Sequence, residues 1–329
     1  MKARVGIVGL GKMALLHASI LSAMHDADVV AFCEINSLVR RFSTRIIPDV
    51  RVVSDLREFS AMDLDAVYIT TPAGSHFPII KNVYEMAIAR HVFVEKPLAT
   101  NFPLAKEASE LAKRHGGANM VGYNRRFSVT FGRAKQILTE GLVGQLECFE
   151  AYAYSSDFYG AKANAKASAR GGVISDLGCH VADLALWFFG SMDVTGAEVR
   201  PLLGGPSEDE ATFGVLAGGG LRGEIKTSWC RPEYRMPELG LIVEGANGTL
   251  KVDEDKVQLS LGKGQSKTWH KHDLSDEVPF FIGGTDYVRE DYSFVRSIAD
   301  GAGVEPSFET ASQVEKLIDD VKKIGKGAR

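Results

Sequence analysis

The sequence predicts a two-domain α/β protein: a doubly wound parallel sheet in front, and behind it an α+β domain with a large, mainly antiparallel open sheet. Three observations carry this reading. Between residue 3 and about residue 122, six short apolar runs alternate with amphipathic stretches. A Gly-x-Gly-x-x-Ala turn follows the first run directly. Beyond residue 122, strand-like runs follow one another through Gly-rich turns instead of helices. Alternating strands and helices imply parallel strands joined by right-handed crossovers, and consecutive hairpins imply antiparallel pairing. At about 150 residues per domain, 329 residues suit two, divided as 1–122 and 123–329.

The front strands are read at Arg4–Val8, Asp28–Cys33, Arg51–Val53, Ala66–Thr70, His91–Glu95 and Ala118–Val121, with amphipathic helices at Met13–Met24, Ser75–Ala89 and Phe102–Arg114. Behind them Thr130–Glu140 has helical spacing and ends at Gly141. Alternating runs then follow at Leu146–Tyr154, Ala211–Leu216, Leu221–Trp229, Leu239–Glu244, Thr249–Asp253 and Val257–Leu261. Gly218-Gly219-Gly220 and Asn247-Gly248 suit hairpins that need positive φ. Two helices, about Asp286–Ala299 and Glu309–Ile324, close the chain. They are too few to cover both faces of such a sheet, so its open face is expected to mediate oligomerisation.

Gly9-Leu-Gly11-Lys12-Met13-Ala14 has a specific physical meaning at its position. Gly9 permits the tight turn, Gly11 lets the backbone approach a pyrophosphate, and Ala14 allows close helix–strand packing. A dinucleotide is the expected cofactor. Glu34, at the end of the second strand, is placed to accept from a ribose 2′-hydroxyl and to repel a 2′-phosphate, so NAD is expected rather than NADP. Arg40 or Arg41 folding back would weaken that preference. Thr71, Pro72 and His76 follow the fourth strand, at the edge where such sheets bind ligands. His76 also suits a plain helix start.

Glu95-Lys96-Pro97 ends the fifth strand, where a lysine can hydrogen-bond a substrate oxygen and a cis proline can aim it. A second cluster, Gly171-Gly172…Asp176…His180…Asp183, leads into an apolar run. On a regular helix Asp176, His180 and Asp183 stand at i, i+4 and i+7 and share a face at about 100° per residue. A metal triad is the competing reading, but one histidine without a further His/Cys cluster makes it a poor ligand set, and no metal is assigned. Acids at a helix start are also favoured by the macrodipole alone.

Composition narrows the partners. Thirty-eight basic against 42 acidic residues, net −4, leave no basic stripe for nucleic acid. No apolar run reaches the ~20 residues of a membrane helix, and no signal segment opens the sequence, so a cytoplasmic location is expected. Cys33, Cys148, Cys179 and Cys230 are read as small buried hydrophobes. Lys162, Lys166 and Arg170 recur every four residues; if helical they form a cationic ridge, joined by Arg231 and Arg235, for an anionic substrate. A solvated loop is the plainer reading.

Gly9-Leu-Gly11, Glu95-Lys96-Pro97, Gly122-Tyr123-Asn124-Arg125-Arg126-Phe127 and Gly172…Asp176…Gly178…His180…Asp183, in this order, resemble the Gfo/Idh/MocA oxidoreductases over essentially the whole chain. The resemblance implies a hydride transfer between nicotinamide and a secondary alcohol or ketone carbon of a sugar or cyclitol. It implies Lys96, Asp176 and His180 as the catalytic triad, with Tyr123, Arg126 and Asp183 near the substrate. Glu95 and Lys96 also border the cofactor site in this reading, and the open sheet joins a homodimer or homotetramer. An NAD-requiring glycosidase on the same scaffold, or a non-catalytic NAD-binding regulator, are the alternatives.

Overall fold

The computed structural model describes residues 2–46, 50–161, 170–274 and 277–327. The chain forms two compact units, Met1–Asn124 with Val278–Glu315, and Arg125–Glu277 with Lys316–Arg329. Val278–Glu315, which a division at 122 and 123 assigns to the second domain, thus belongs to the first unit.

In the first unit β1 (Ala3–Val8), β2 (Ala27–Cys33), β3 (Arg51–Val53), β4 (Ala66–Ile69), β5 (His91–Val94) and β6 (Asn119–Val121) form one sheet in the order β3-β2-β1-β4-β5-β6. All pairs are parallel. The order reverses between β1 and β4, which is the dinucleotide-binding topology. β4 is apolar at every position and buried throughout, as a parallel strand covered on both faces must be. Helices α1 (Lys12–Ala23), α2 (Ser37–Ile46), α3 (His76–Glu85) and α4 (Phe102–His115) follow β1, β2, β4 and β5. Asn101 starts α4 by accepting from the Leu104 amide at 3.1 Å, and Pro103 stands in its first turn. α7 (Thr285–Asp300) buries Val288, Asp291, Phe294 and Val295 along one stripe. Val288 and Val295 stand seven residues apart on one face, as a helix requires; the buried acid Asp291 between them is not what such a stripe predicts.

The second unit holds eight strands: β7 (Leu146–Tyr154), β8 (Met192–Arg200), β9 (Glu210–Ala217), β10 (Arg222–Ser228), β11 (Glu238–Gly245), β12 (Gly248–Asp253), β13 (Lys256–Leu261) and β14 (Gln265–His270). Their order is β14-β13-β12-β11-β7-β10-β9-β8, and the pairing is antiparallel except between β7 and β10. Phe149, Ala151 and Ala153 point to the buried face, with Phe149 stacked on Phe189 at 4.1 Å. Glu150, Tyr152 and Tyr154 point the other way and stay half-buried. The buried face carries α5 (Val129–Thr139), α6 (Cys179–Phe189) and the later turns of α8 (Phe308–Gly327). Among the described residues no helix is long and apolar enough to cross a membrane.

Three expectations need correction. The Gly218–Gly220 hairpin uses positive φ at Gly219 and Gly220, but the β11–β12 turn does not. Gly245 pairs with Gly248, so the turn residues are Ala246 and Asn247, and neither has positive φ. Backbone bonds from Ala246 to the Gln145 carbonyl and from Asn247 to the Val143 carbonyl hold it instead. Strands β8 and β14, the two edges of the sheet, were not expected: β14 buries no residue, and the alternation of Met192, Val194, Ala197 and Val199 in β8 is shifted by a bulge between Val194 and Gly196. Cys33 and Cys179 are buried, whereas Cys148 and Cys230 are only half-buried.

Candidate active site

β1 runs into Gly9, whose φ is +93°. A side chain there would meet the Thr71 methyl at 3.0 Å and the Thr70 carbonyl oxygen at 3.3 Å, so glycine is required twice over. Gly11 differs. Its backbone (φ −85°) suits any residue, yet a Cβ built there meets nothing within 4 Å. It therefore borders open space over the start of α1, where no side chain caps the helix and no acid stands in the first turn. Lys12 is exposed and Met13 half-buried at that start, and Ala14 is fully buried behind it. Uncrowded, uncapped and free of nearby first-turn acid, this helix end fits a pyrophosphate.

Glu34 leaves β2 at the same edge. Its carboxylate accepts from the Leu10 amide at 2.9 Å and from the Asn36 amide at 2.7 Å. Arg40 folds back onto the main chain, one Nη donating to the carbonyls of Glu34 and Ile35 at 2.8 and 2.7 Å, so that group is engaged within the protein and the Glu34 carboxylate still sets the preference for NAD. The acid is thereby fixed at the rim, with lone pairs left for ribose hydroxyls. Past β4, Thr71 and Pro72 are partly exposed, and Ser75 donates to the Thr71 hydroxyl at 2.8 Å. His76 is buried between the carbonyl oxygens of Thr71 and Pro97, 2.7 Å from each. Burial lowers its pKa, against the opposing pull of the two carbonyls. Its place is that of a clip joining the β4 and β5 exits.

At the β5 exit the Lys96–Pro97 peptide is cis. Glu95 is 8% exposed; one carboxylate oxygen accepts from the Lys96 amide at 3.1 Å and the other lies 3.0 Å from His17 Nε2. Gly122 makes room for it, since a Cβ there would stand 3.2 Å from that carboxylate. His17 and Asp291, which complete this cluster, carry no local signal: they lie 274 residues apart in sequence.

In the second unit, Gly172 turns the chain with φ +93° against the Glu208 carboxylate, and Val173 donates to the Glu208 carbonyl at 3.0 Å. Ile174–Gly178 then forms a π-helical turn before α6 begins at Cys179. This corrects the expected stripe, because a π turn widens the winding and breaks the uniform 100° spacing. Asp176 and His180 remain half-buried on this junction, and Asp183 turns inward, fully buried. Arg126 grips Asp183 with two parallel bonds, Nε to Oδ2 at 2.8 Å and an Nη to Oδ1 at 2.6 Å. The pair is 6% and 1% exposed, and Tyr123 in the first unit is fully buried. Arg126 and Asp183 thus brace the Asn124–Phe127 turn to α6, and Lys135 caps the far end of α6 at the Trp187 carbonyl, 2.6 Å away.

Arg170 lies over Phe158 and donates to Asp157 at 2.7 Å and to Asp176 at 3.2 Å. Arg231 pairs with Glu210 at 3.2 Å. The expected cationic ridge is altered where it can be seen: Arg170 and Arg231 are matched by acids, Arg235 is exposed, and Lys162 and Lys166 lie outside the described residues. Cys179 is buried and donates to the Asp176 carbonyl, which removes it as a nucleophile beside His180. Among the described residues no group of three His, Cys, Asp or Glu side chains is placed to hold a metal.

Residues 3–123 match the model of the "Oxidoreductase family, NAD-binding Rossmann fold", and residues 131–251 that of the "GFO/IDH/MocA C-terminal domain". The uncharacterized oxidoreductase YdgJ of Escherichia coli (strain K12) is 30% identical over 207 residues, 60% of this chain and 58% of that protein's length. Inositol 2-dehydrogenase of Rhizobium meliloti (strain 1021) is 23% identical over 317 residues, 93% of this chain and 92% of the relative. A levoglucosan dehydrogenase solved in complex with NADH shares the fold, with a TM-score of 0.88 at 21% identity over 99% of this chain and 98% of the other. With both halves matched in order and the dinucleotide fingerprint on an open helix start, the chain belongs to the Gfo/Idh/MocA family of oxidoreductases and carries its NAD-binding Rossmann domain.

Proposed function

We propose that this chain is an NAD(H)-dependent dehydrogenase acting on a secondary alcohol or ketone carbon of a sugar or cyclitol, with Lys96, Asp176 and His180 as its catalytic residues. The observation that carries the reading is the carboxyl edge of the first sheet. There the Gly9–Gly11 turn, Glu34, Thr71 and Lys96 leave neighbouring strands β1, β2, β4 and β5 together. Bound NAD supplies the hydride acceptor or donor; the protein's task is to place the carbon and manage the hydroxyl proton. Lys96 donates a hydrogen bond to the substrate oxygen as charge develops on it. His180 takes up or returns the hydroxyl proton, the general base and acid role that an imidazole can fill. Asp176 orients the substrate or tunes His180.

A neutral polyol fits better than an anion. Arg170 and Arg231 are each matched by acids, and the names of the inositol and levoglucosan enzymes point to uncharged polyhydroxylated rings. NAD is favoured over NADP by the fixed Glu34 carboxylate. The half-buried tyrosine-bearing face of the second sheet is proposed to join copies into a dimer or tetramer, which light scattering would read. A panel of neutral polyols, free sugars and sugar phosphates scored by NADH absorbance tests the activity. His180→Ala should slow turnover by ~100-fold on whichever substrate responds. No response across the panel, or full turnover in the variant, would remove the reading.

A further inference from the structure

His17 sits on the sixth residue of α1, the fingerprint helix, with its side chain wholly removed from water. Its Nδ1 lies 2.9 and 3.0 Å from the two oxygens of Asp291 on α7, and its Nε2 lies 3.0 Å from Glu95 Oε1 at the β5 exit. Ionised carboxylates only accept. With Asp291 and Glu95 ionised, a ring with a carboxylate on each nitrogen donates from both, as an imidazolium; burial pushes the Asp291 pKa up, and attraction and hydrogen bonding from His17 oppose that rise. The other groups facing it are the rings of Tyr68 on β4, Phe93 on β5 and Tyr287 on α7, at 5.5, 5.0 and 6.2 Å, and the buried carboxyl of Glu290 on α7. Burial opposes the charge, but attraction and hydrogen bonding from Asp291 and Glu95 outweigh it, and the His17 pKa lies well above its ordinary value.

An ion set this deep is a poor stabiliser, because desolvation offsets the attraction and apolar side chains of the same volume usually serve stability as well or better. What it does supply is direction. Glu95 has one oxygen on His17 and the other on the Lys96 amide, and Gly122 leaves it the space to sit there. We propose that His17, anchored by Asp291, is a positioning residue that fixes the Glu95–Lys96 corner relative to the cofactor-binding helix. The role of Lys96 in turnover rests on the dehydrogenase reading above; the orientation of the corner does not.

Asp291→Asn keeps the shape and an acceptor for Nδ1 but removes the anion that holds the second proton. In the variant the ring should lose its Nδ1 proton as pH rises, so that Glu95 faces a neutral ring and its hold on the Lys96 amide loosens. Relative to wild type, kcat of the NAD-bound enzyme should be nearly unchanged at about pH 6 and about tenfold lower at about pH 9, with KM for the polyol little altered. A purely structural role would lower Tm and leave this ratio flat. A flat ratio in a folded variant overturns the proposal. Nitrogen chemical shifts of His17 in the wild-type protein give a second measure that needs no variant: a singly protonated ring at about pH 8 also overturns it. If no polyol is turned over, the dehydrogenase reading fails separately. Hydrogen exchange at the Lys96 amide of the NADH-bound protein then decides this one: faster exchange in Asp291→Asn at about pH 9 supports it, and unchanged exchange ends it.

Discussion

Arg126 and Asp183 are motif residues that pair with each other. Their bidentate bond is nearly closed to water, so removing one partner strands a buried charge. Arg126→Ala should cost about 3–5 kcal/mol in urea unfolding of the second unit. A loss below about 1 kcal/mol would mean that the pair is solvated in solution. Arg126→Lys should recover little, since one ammonium cannot form both bonds. Arg170 is a different case. It is half exposed and shared between Asp157 and Asp176, so its value lies in holding Asp176, and its contribution to stability is small.

At the scale of elements, the first turn of α1 separates folding from cofactor binding. Gly9 has left-handed backbone and no room for a methyl group, whereas Gly11 has ordinary backbone and open space. Gly11→Val should therefore leave Tm within about 2 °C of wild type while weakening NADH binding by about tenfold or more, read by fluorescence titration. Gly9→Val should lower both. Equal affinities for NADH in Gly11→Val and wild type would move the pyrophosphate off this helix. The π turn before α6 belongs to the same scale: it changes the angle between Asp176 and His180, whereas His180 and Asp183 follow it on regular helix, Asp183 buried and His180 half-buried.

Across the first unit as a whole, the buried acids predict how stability varies with pH. Glu290 is fully buried, and burial pushes its pKa well above the ordinary value. The folded protein therefore keeps a proton that the unfolded chain releases above the usual carboxyl range, and stability falls as pH rises between the two values. His17 acts in the same direction: its raised pKa favours folding below the unfolded value and loses that effect as pH climbs through the folded one. Glu290→Gln should be more stable than wild type by about 1 kcal/mol or more at pH 8, with the gap closing near pH 4. A constant gap across that range would show that Glu290 does not titrate with folding.

The parallel sheet and its cofactor turn were legible in the sequence, because each rests on local chemistry: apolar runs, a glycine that must turn left-handed, an acid at a strand end; the order of the strands came from the fold. The sequence also located Lys96, Asp176 and His180 as candidates through the family resemblance. Only the tertiary structure decided what those residues touch. His17, Glu95 and Asp291 meet from positions far apart in the chain, the edge strand β14 is held by pairing that leaves no apolar pattern, and a bulge breaks the alternation of β8. Arg126 and Asp183 proved to be partners because a buried charge must find its opposite wherever the fold brings one within reach.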